Sequence, residues 1–553
     1  MNKLKILLSP LCLAILIFLF FQLRIFNIFS GLLDEGFLLY NVRLITQGQI
    51  PYRDFFMTTT PASFYVVAFF FKVFGNYIII DRILGILAGV LTIFICSKLF
   101  KLKTYWQYVY LISIAMLSVS EARAFFYNDA ILIALIALYF LIKGTEKNSI
   151  RFLFIAGIFS GLCFIFKQSI GGLLLIAFAI GIILVSSRKN ILKAVSSFMI
   201  GEIVVLVPVS LYFIFNHAFP QALYYIFSFA NSVKSHQSSF LLHRLVAIPI
   251  IVIIFILFKR LALRSRLILV LSTVIASLIY IFLDLSRVGR IITYLPDLTF
   301  YMHTLVFLFP LIMLSISLGK NKKIQKRITI IAITYLALFL SIAASGYSMG
   351  PVVVVAPLLI PLLVYCLEVY GEKIIKNIRI SSLVLTVVVL VYVIPFSHSP
   401  LKSSDSVFGA YKESQYTHEV DIPAAKYIQF PENESKELLR VIQYIQKNTK
   451  EDEKIFCFPY CPGLLFLTER EGGSYYNLFY FETFMAKDQD RVVHDLQKNN
   501  VRLVVLQKRG GFEQRKDLEE QRLPKIRKYI DTNYSKVLET LNFIILKSNF
   551  SDK

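Results

Sequence analysis

The sequence predicts a polytopic α-helical membrane protein of about thirteen spans, followed by a small extracytoplasmic α/β domain at the C-terminal end. Three observations predict this. Of 553 residues, 57% are hydrophobic and only 17% charged, with a mean hydropathy of +0.67. A soluble chain would carry about a quarter charged residues. Apolar runs of roughly 16–24 residues recur as far as about Phe396, matching the ~20 residues that cross a hydrocarbon core. Short basic knots separate the runs, which is the pattern of cytoplasmic loops.

The net charge of +23 is concentrated in those knots. Nothing resembles a nucleic-acid reader module or a basic helix with interleaved aromatics, so nucleic acid is excluded as a partner and membrane lipid is expected.

The first element follows MNKLK and runs from about Ile6 to Ile28. It is too long for a signal-peptide core and lacks a cleavage site, so it reads as a membrane helix with a cytoplasmic N-terminus. An outer loop, residues 30–76, comes next. In it, EGFLLYNVRLITQG and the apolar segment from Pro61 to Phe74 are too short to span and are expected to lie along the membrane surface. The second span returns to KLFKLK. The third and fourth, about Trp106–Ser120 and Asp129–Leu141, form a tight outer hairpin ending at KGTEKNSIR. The fifth and sixth turn outside at FKQS and return to SSRKN, and the seventh emerges near Asn216. The eighth descends to FKRLALRSR, and the ninth and tenth turn outside around DLSRVGRIITYLPDL. The eleventh and twelfth run between GKNKKIQKR and GEKIIKNIR. A thirteenth, about Ser381–Phe396, delivers the chain to the outside. The scheme describes a multi-pass protein of the plasma (inner) membrane, with residues 1–396 as the membrane domain.

Residues 397–553 form the second, soluble domain. ESKELLRVIQYIQKNT carries Leu438, Leu439, Ile442 and Ile445 at amphipathic-helix spacing. KIFCF, VRLVVLQ and NFIILKS read as strands and DQDRVVHDLQKNN as a helix, which together predict an α/β unit. Four of the six cysteines fall in apolar runs. Cys457 and Cys461 could close a small disulfide loop in an oxidising compartment. No Cys or His set has zinc spacing. No metal ligand is assigned and no cofactor is required, although a divalent cation is left open.

The chemistry is expected at the outer face. Asp34 and Glu35 are adjacent carboxylates just beyond the first helix, expensive to bury and unnecessary for folding. Glu121 and Asp129 fall at the same level in the hairpin EARAFFYNDA, with Arg123 between them. Lys167 and Gln168 precede SIGG, where a cation beside a glycine-rich helix start suits a phosphate. Arg287 and Arg290 lie on the outer side against the usual charge bias, and Arg53 sits in GQIPYRDFF. Each has a plainer reading: Asp34 as a solvated carboxylate, Arg123 as the ion partner of Glu121, Arg287 and Arg290 as headgroup contacts. The aromatic runs read as interface packing rather than sugar platforms.

These residues resemble the GT-C superfamily of membrane glycosyltransferases, in the branch of the protein O-mannosyltransferases and the aminoarabinose transferases of lipid A. The resemblance rests on Asp34-Glu35, GQIPYRDFF…TPASFY, Asn128–Ala130, Phe166–Gln168, the long first outer loop and the soluble tail. It implies a polyprenyl-phosphate sugar donor and transfer, with inversion, to an acceptor hydroxyl of a lipid, glycan or protein outside the membrane. Such transfer needs a general base for the hydroxyl and positive charge for the departing phosphate. Asp34 matches the family's base, Glu35 its neighbour, and Asp129 the second acidic position. Lys167 and Arg123 are the phosphate candidates by location. One departure stands out: Thr60-Pro61-Ala62 replaces the Lys-Pro-Pro of the aminoarabinose transferases.

Competing readings are a flippase for lipid-linked sugars, an oligosaccharide polymerase or ligase, and a non-catalytic subunit. A flippase would carry charge along a central path, whereas here it gathers at one face. Polymerases and ligases place the large outer loop in mid-chain, whereas here it comes first. The retained acidic pair disfavours a scaffold.

Overall fold

The computed structural model describes residues 9–23, 25–29, 31–100, 102, 104–118, 126–228, 322–344, 357, 358, 361, 416–479, 488–508 and 523–549. The expected spans between residues 229 and 321, and those after Ala344, lie almost wholly outside the described residues.

The bundle begins with α1 (Pro10–Gln22), capped by Ser9, whose Oγ accepts from the Cys12 N–H at 3.3 Å. It stops short of the expected Ile28. Asn27 and Phe29 instead hydrogen-bond Gln429 through their backbones, at 2.7 and 3.0 Å. Helices α2 (Asp34–Thr46) and α3 (Ala62–Phe74) build the outer loop. They are followed by α4 (Ile78–Leu99), α5 (Thr104–Ser118), α6 (Phe126–Lys147), α7 (Ile150–Phe166), α8 (Gln168–Val185) and α9 (Ile191–Phe215). Among the described residues, four helices are long and apolar enough to cross a membrane: Ile78–Leu99, Asn128–Lys147, Gln168–Val185 and Ile191–Phe215. Past the short α10 (Phe219–Leu223), helix α11 (Lys322–Ala344) packs back onto α8, with Ile330 against Gly181.

Close backbone approach fixes the bundle. Gly157 on α7 faces Gly201 on α9, and Gly161 one turn on meets Glu202 and Val205; a Cβ at Gly157 would stand 2.0 Å from the Phe198 carbonyl, and one at Gly201 2.2 Å from that of Phe154. In lipid, where apolar surface alone does not drive helices together, such small residues gain contact by letting backbones touch. Helices α7 and α8 form a hairpin with one residue, Lys167, between them. Gly171 lies so near Phe164 that a Cβ would meet its Cα at 2.2 Å.

The C-terminal elements comprise a hairpin of β1 (Tyr416–Glu419) and β2 (Gln429–Pro431) and a four-stranded sheet. The sheet order is β3 (Ile455–Phe458), β4 (Leu503–Gln507), β6 (Phe543–Ser548), β5 (Tyr534–Glu539), with only the β3–β4 pair parallel. The amphipathic helix α12 (Glu432–Asn448) buries Leu438, Ile442 and Ile445. Helix α13 (Pro462–Leu467) follows β3, and Cys457 is bridged to Cys461 between them.

Helix α2 departs from the expected surface position. Leu38, Tyr40, Val42 and Leu44 are all buried, because α3 covers one side and the chain after residue 428 covers the other. Gly36 touches Gly463, and the Gly463 N–H donates to the Leu32 carbonyl at 2.9 Å. The Arg43 guanidinium donates to the carbonyls of Leu465, Glu469 and Arg470 at 3.2, 2.6 and 3.3 Å. The Tyr40 hydroxyl accepts from the Gly472 N–H at 2.6 Å. Helix α3 is two-faced, burying Phe64, Val67 and Phe71 while Phe69, Val73 and Phe74 stay exposed.

The Gly36–Gly463 contact has a testable cost. Alanine at Gly36 gains about 1 kcal/mol of helix propensity, but its Cβ would stand 2.3 Å from the Gly463 nitrogen. Backbone cannot yield as a side chain can, so overpacking of about 1–3 kcal/mol wins. Thermal unfolding in detergent should show Gly36→Ala destabilised.

Candidate active site

The segment Thr58–Ser63, a loop that runs into the first turn of α3, connects the ends of two membrane helices. Asp129, in the first turn of α6, accepts from the Ser63 hydroxyl through Oδ2 at 2.5 Å. A carboxylate there also meets the positive end of the helix dipole. Gln168, first residue of α8, grips the same segment at two points. Its Nε2 donates to the Thr58 carbonyl at 2.9 Å, and its Oε1 accepts from the Thr60 N–H at 3.2 Å and hydroxyl at 3.4 Å. Between them, the Tyr52 hydroxyl donates to the Thr59 carbonyl at 2.6 Å. The backbone of three consecutive threonines is thus held from three sides. The Thr59 hydroxyl is left buried without a hydrogen-bond partner.

Lys167 lies in extended conformation between α7 and α8, with its side chain buried. Its carbonyl accepts the N–H groups of Ile170 and Gly171 at 3.1 and 3.0 Å. The glycine-rich helix start therefore does not offer those two donors to a ligand, and Gly171 serves the close hairpin instead. The Cys163 thiol, one turn earlier, donates to the Ala130 carbonyl at 3.3 Å, tying this hairpin to the residue after Asp129.

Asp34 and Glu35 part company. Asp34 opens α2 and is exposed. Glu35 is fully buried in an ion pair with Arg82 on α4, whose guanidinium also donates to the Ile28 carbonyl at 3.0 Å. Adjacent helical residues point about 100° apart, so the two carboxylates cannot share one site. One turn on from Asp34, Phe37 packs edge-on against Phe64 with ring centroids 6.1 Å apart. That contact sets the first turn of α2 beside the residue following Ser63.

The remaining candidates divide. Arg53 is exposed and committed to Asp54 in a two-point ion pair, 2.8 Å on each side, and reaches the Asn216 carbonyl at 3.2 Å. Partial burial alone would raise the Asp54 pKa, but the Arg53 hydrogen bonds and the Ile50 N–H hold it below the ordinary carboxylate value. Gln168 is spent on the threonine segment, which makes it a positioning group. Glu121, Arg123, Arg287 and Arg290 lie outside the described residues. Among the described residues no three of His, Cys, Asp and Glu gather as a metal site. Asp129 is engaged by Ser63 and Glu35 by Arg82.

Sequence reasoning missed Ser63, Thr59, Arg82 and Arg43. Arg82 had left a signal, since Asp81-Arg82 puts two charges at the start of an apolar span. Ser63 and Arg43 left none, because their partners lie 66 and 422 residues along the chain, and Thr59 left none because burial of its hydroxyl is not a local signal.

Residues 58–214, which hold the threonine segment, Asp129, Lys167 and Gln168, match the family described as dolichyl-phosphate-mannose-protein mannosyltransferase. No curated protein sequence matches the chain. Among solved structures, it is similar to ArnT from Cupriavidus metallidurans bound to undecaprenyl phosphate, with 12% identity and a TM-score of 0.51 over 98% of this chain and 97% of that one. It is also similar to the oligosaccharyltransferase AglB from Archaeoglobus fulgidus in complex with an inhibitory peptide and a dolichol-phosphate. There the identity is 12% and the TM-score 0.51, over 100% of this chain and 75% of that one. A structure of the Archaeoglobus fulgidus oligosaccharyltransferase with zinc and sulfate matches at 12% identity and a TM-score of 0.51, over 98% of this chain and 73% of that one. The chain is a polytopic helical membrane protein with the GT-C fold, and within that fold it resembles the ArnT and protein O-mannosyltransferase branches.

Proposed function

We propose that this protein is an inverting membrane glycosyltransferase that takes its sugar from a polyprenyl-phosphate donor and passes it to an acceptor hydroxyl on the extracytoplasmic side. One observation carries the reading. The segment Thr58–Ser63 is bound to Asp129 and Gln168 at the ends of two membrane helices, next to Lys167 and beside the turn that bears Asp34. A lipid phosphate anchored in the bilayer would present its sugar at that level.

In this reaction Asp34 takes the proton of the acceptor hydroxyl. The acceptor oxygen attacks the anomeric carbon, the carbon–oxygen bond to phosphate breaks, and the electron pair leaves with the polyprenyl phosphate. Lys167 offsets the phosphate charge, assisted by Arg123. The unpaired Thr59 hydroxyl offers a further donor where the aminoarabinose transferases carry a lysine one position on. Asp129 orients the acceptor, with Ser63 fixing its rotamer. The donor family is supported by the lipid phosphates bound to ArnT and AglB. We assign no step to a metal.

Incubating the purified protein in lipid nanodiscs with a panel of polyprenyl-phosphate sugars, and reading release of polyprenyl phosphate, tests the reading; inertness toward all of them sinks it. Within that assay Lys167→Ala should lower donor use about tenfold or more, since a charged contact to phosphate contributes about 1.5–3 kcal/mol. Unchanged donor kinetics in a correctly inserted variant would remove Lys167 as a phosphate ligand.

The orientation has the N-terminus in the cytoplasm and the segment from Ser397 outside, supported by the basic knots and by the Cys457–Cys461 bridge, which suits an oxidising compartment. A cysteine introduced at Ser404 should react with an impermeant reagent on intact cells and one at Lys322 should not; the reverse pattern would invert the scheme.

A further inference from the structure

We propose that the Cys457–Cys461 disulfide is a positioning element for the turn that carries Asp34, an inference that rests on the base role given to Asp34 above. Cys457 lies inside β3, paired across the sheet with Val505, and Cys461 is the N-cap residue of α13. Both are buried, with their Cα atoms 5.7 Å apart. The bridge therefore fastens the start of a short helix to a sheet strand.

Helix α13 has six residues and no side-chain cap at its N-terminus. A helix this short has little stability of its own. What it holds is the beginning of α2. Two residues past Cys461, the Gly463 N–H donates to the Leu32 carbonyl at 2.9 Å, and its backbone lies in direct contact with Gly36. Leu32 and Gly36 flank Asp34 by two residues on either side. At the other end of α13, Arg43 takes the carbonyls of Leu465, Glu469 and Arg470. Helix α13 is thus bound to α2 at both ends, and the disulfide links that clamp to the sheet. Asp34 is exposed, and the backbone two residues to either side of it is what α13 holds. Closing a loop of sequence separation 4 contributes less to global stability than closing a long one. The bridge therefore acts chiefly on local geometry.

The test compares wild type with Cys457→Ser/Cys461→Ser and Cys457→Ala/Cys461→Ala double variants of the full chain in nanodiscs. Thiol titration first establishes the bridge in the wild type; free thiols at both positions would overturn the proposal. Hydrogen exchange is then followed over residues 31–46 and, as a reference, over residues 150–185. Steady-state kinetics with a polyprenyl-phosphate sugar supply kcat and KM. Without the bridge, exchange should quicken over residues 31–46 and stay unchanged over the reference. Donor KM should hold while kcat falls about 10- to 100-fold, the order that a small misplacement of a reacting group costs. Unchanged exchange at residues 31–46, unchanged kcat, a rise in KM alone, or loss of protection throughout the chain in both variants would each overturn it. A wild type inert toward polyprenyl-phosphate sugars but with the exchange response intact would instead sink the transferase reading, leaving a bridge that positions the turn without the catalytic consequence claimed here.

Discussion

Asp34→Asn is expected to lower sugar transfer by about 10²–10⁴-fold at equal amounts of inserted protein. The amide keeps the size and hydrogen bonding of the carboxylate but cannot accept the acceptor's proton. Asp34 is exposed at the first position of its helix, so the near-isosteric substitution opens no cavity in a core and folding should be preserved. Asp129→Asn should cost less, because Ser63 can still donate to the remaining amide oxygen. Per folded molecule, Glu35→Gln should be the mildest of the three on transfer, since Glu35 faces Arg82 and not the substrate, while its loss of charge should show in stability instead. Full activity in Asp34→Asn would remove it as base. A loss confined to Asp129→Asn would move the role to the second acidic site.

Glu35→Ala should instead destroy the folded protein rather than the chemistry. It leaves the Arg82 guanidinium, 1% exposed, without its carboxylate in a dry environment. Breaking a buried pair in this way costs about 3–5 kcal/mol, a large fraction of a protein's net stability. Replacing both members, as in Glu35→Leu with Arg82→Met, removes the stranded charge and should recover much of the loss. Thermal unfolding in detergent distinguishes the cases. A single variant as stable as wild type would mean that water reaches Arg82.

How far the sequence could be read depended on the distance between partners. Helices Ile78–Leu99, Gln168–Val185 and Ile191–Phe215 fall where long apolar runs between basic knots put them. Helix Glu432–Asn448 follows its 3.6-residue apolar period, and strands Ile455–Phe458 and Leu503–Gln507 are short apolar runs bounded by polar residues. Such signals are local. Helix Asp34–Thr46 was legible as a helix, but its apolar positions gave no means of telling lipid from protein as the covering surface. The side chain of Gln168 looked like a ligand group from its neighbours in sequence; its actual partners, Thr58 and Thr60, are 110 and 108 residues away. That the adjacent pair Asp34-Glu35 points two ways follows from helix geometry, whereas the Arg82 partner of Glu35 was not legible. Ser63 was unreadable for the same reason, being one serine among many until Asp129 is brought to it.

The hold of Arg43 on Arg470 spans 427 residues, and that separation sets an order of events in biosynthesis. Helix Asp34–Thr46 leaves the ribosome some 427 residues ahead of the surface that covers it. At about 5–20 residues per second, the interval is roughly 20–90 s. Throughout it, Leu38, Val42 and the carbonyl-seeking Arg43 lack the surface that covers them. A chain released early, by a nonsense codon or a stalled ribosome, would keep most of its membrane helices and still lack the support of its acidic turn. On the function proposed above, nascent and truncated copies are therefore expected to be silent, with activity switching on only once the segment around Arg470 has arrived.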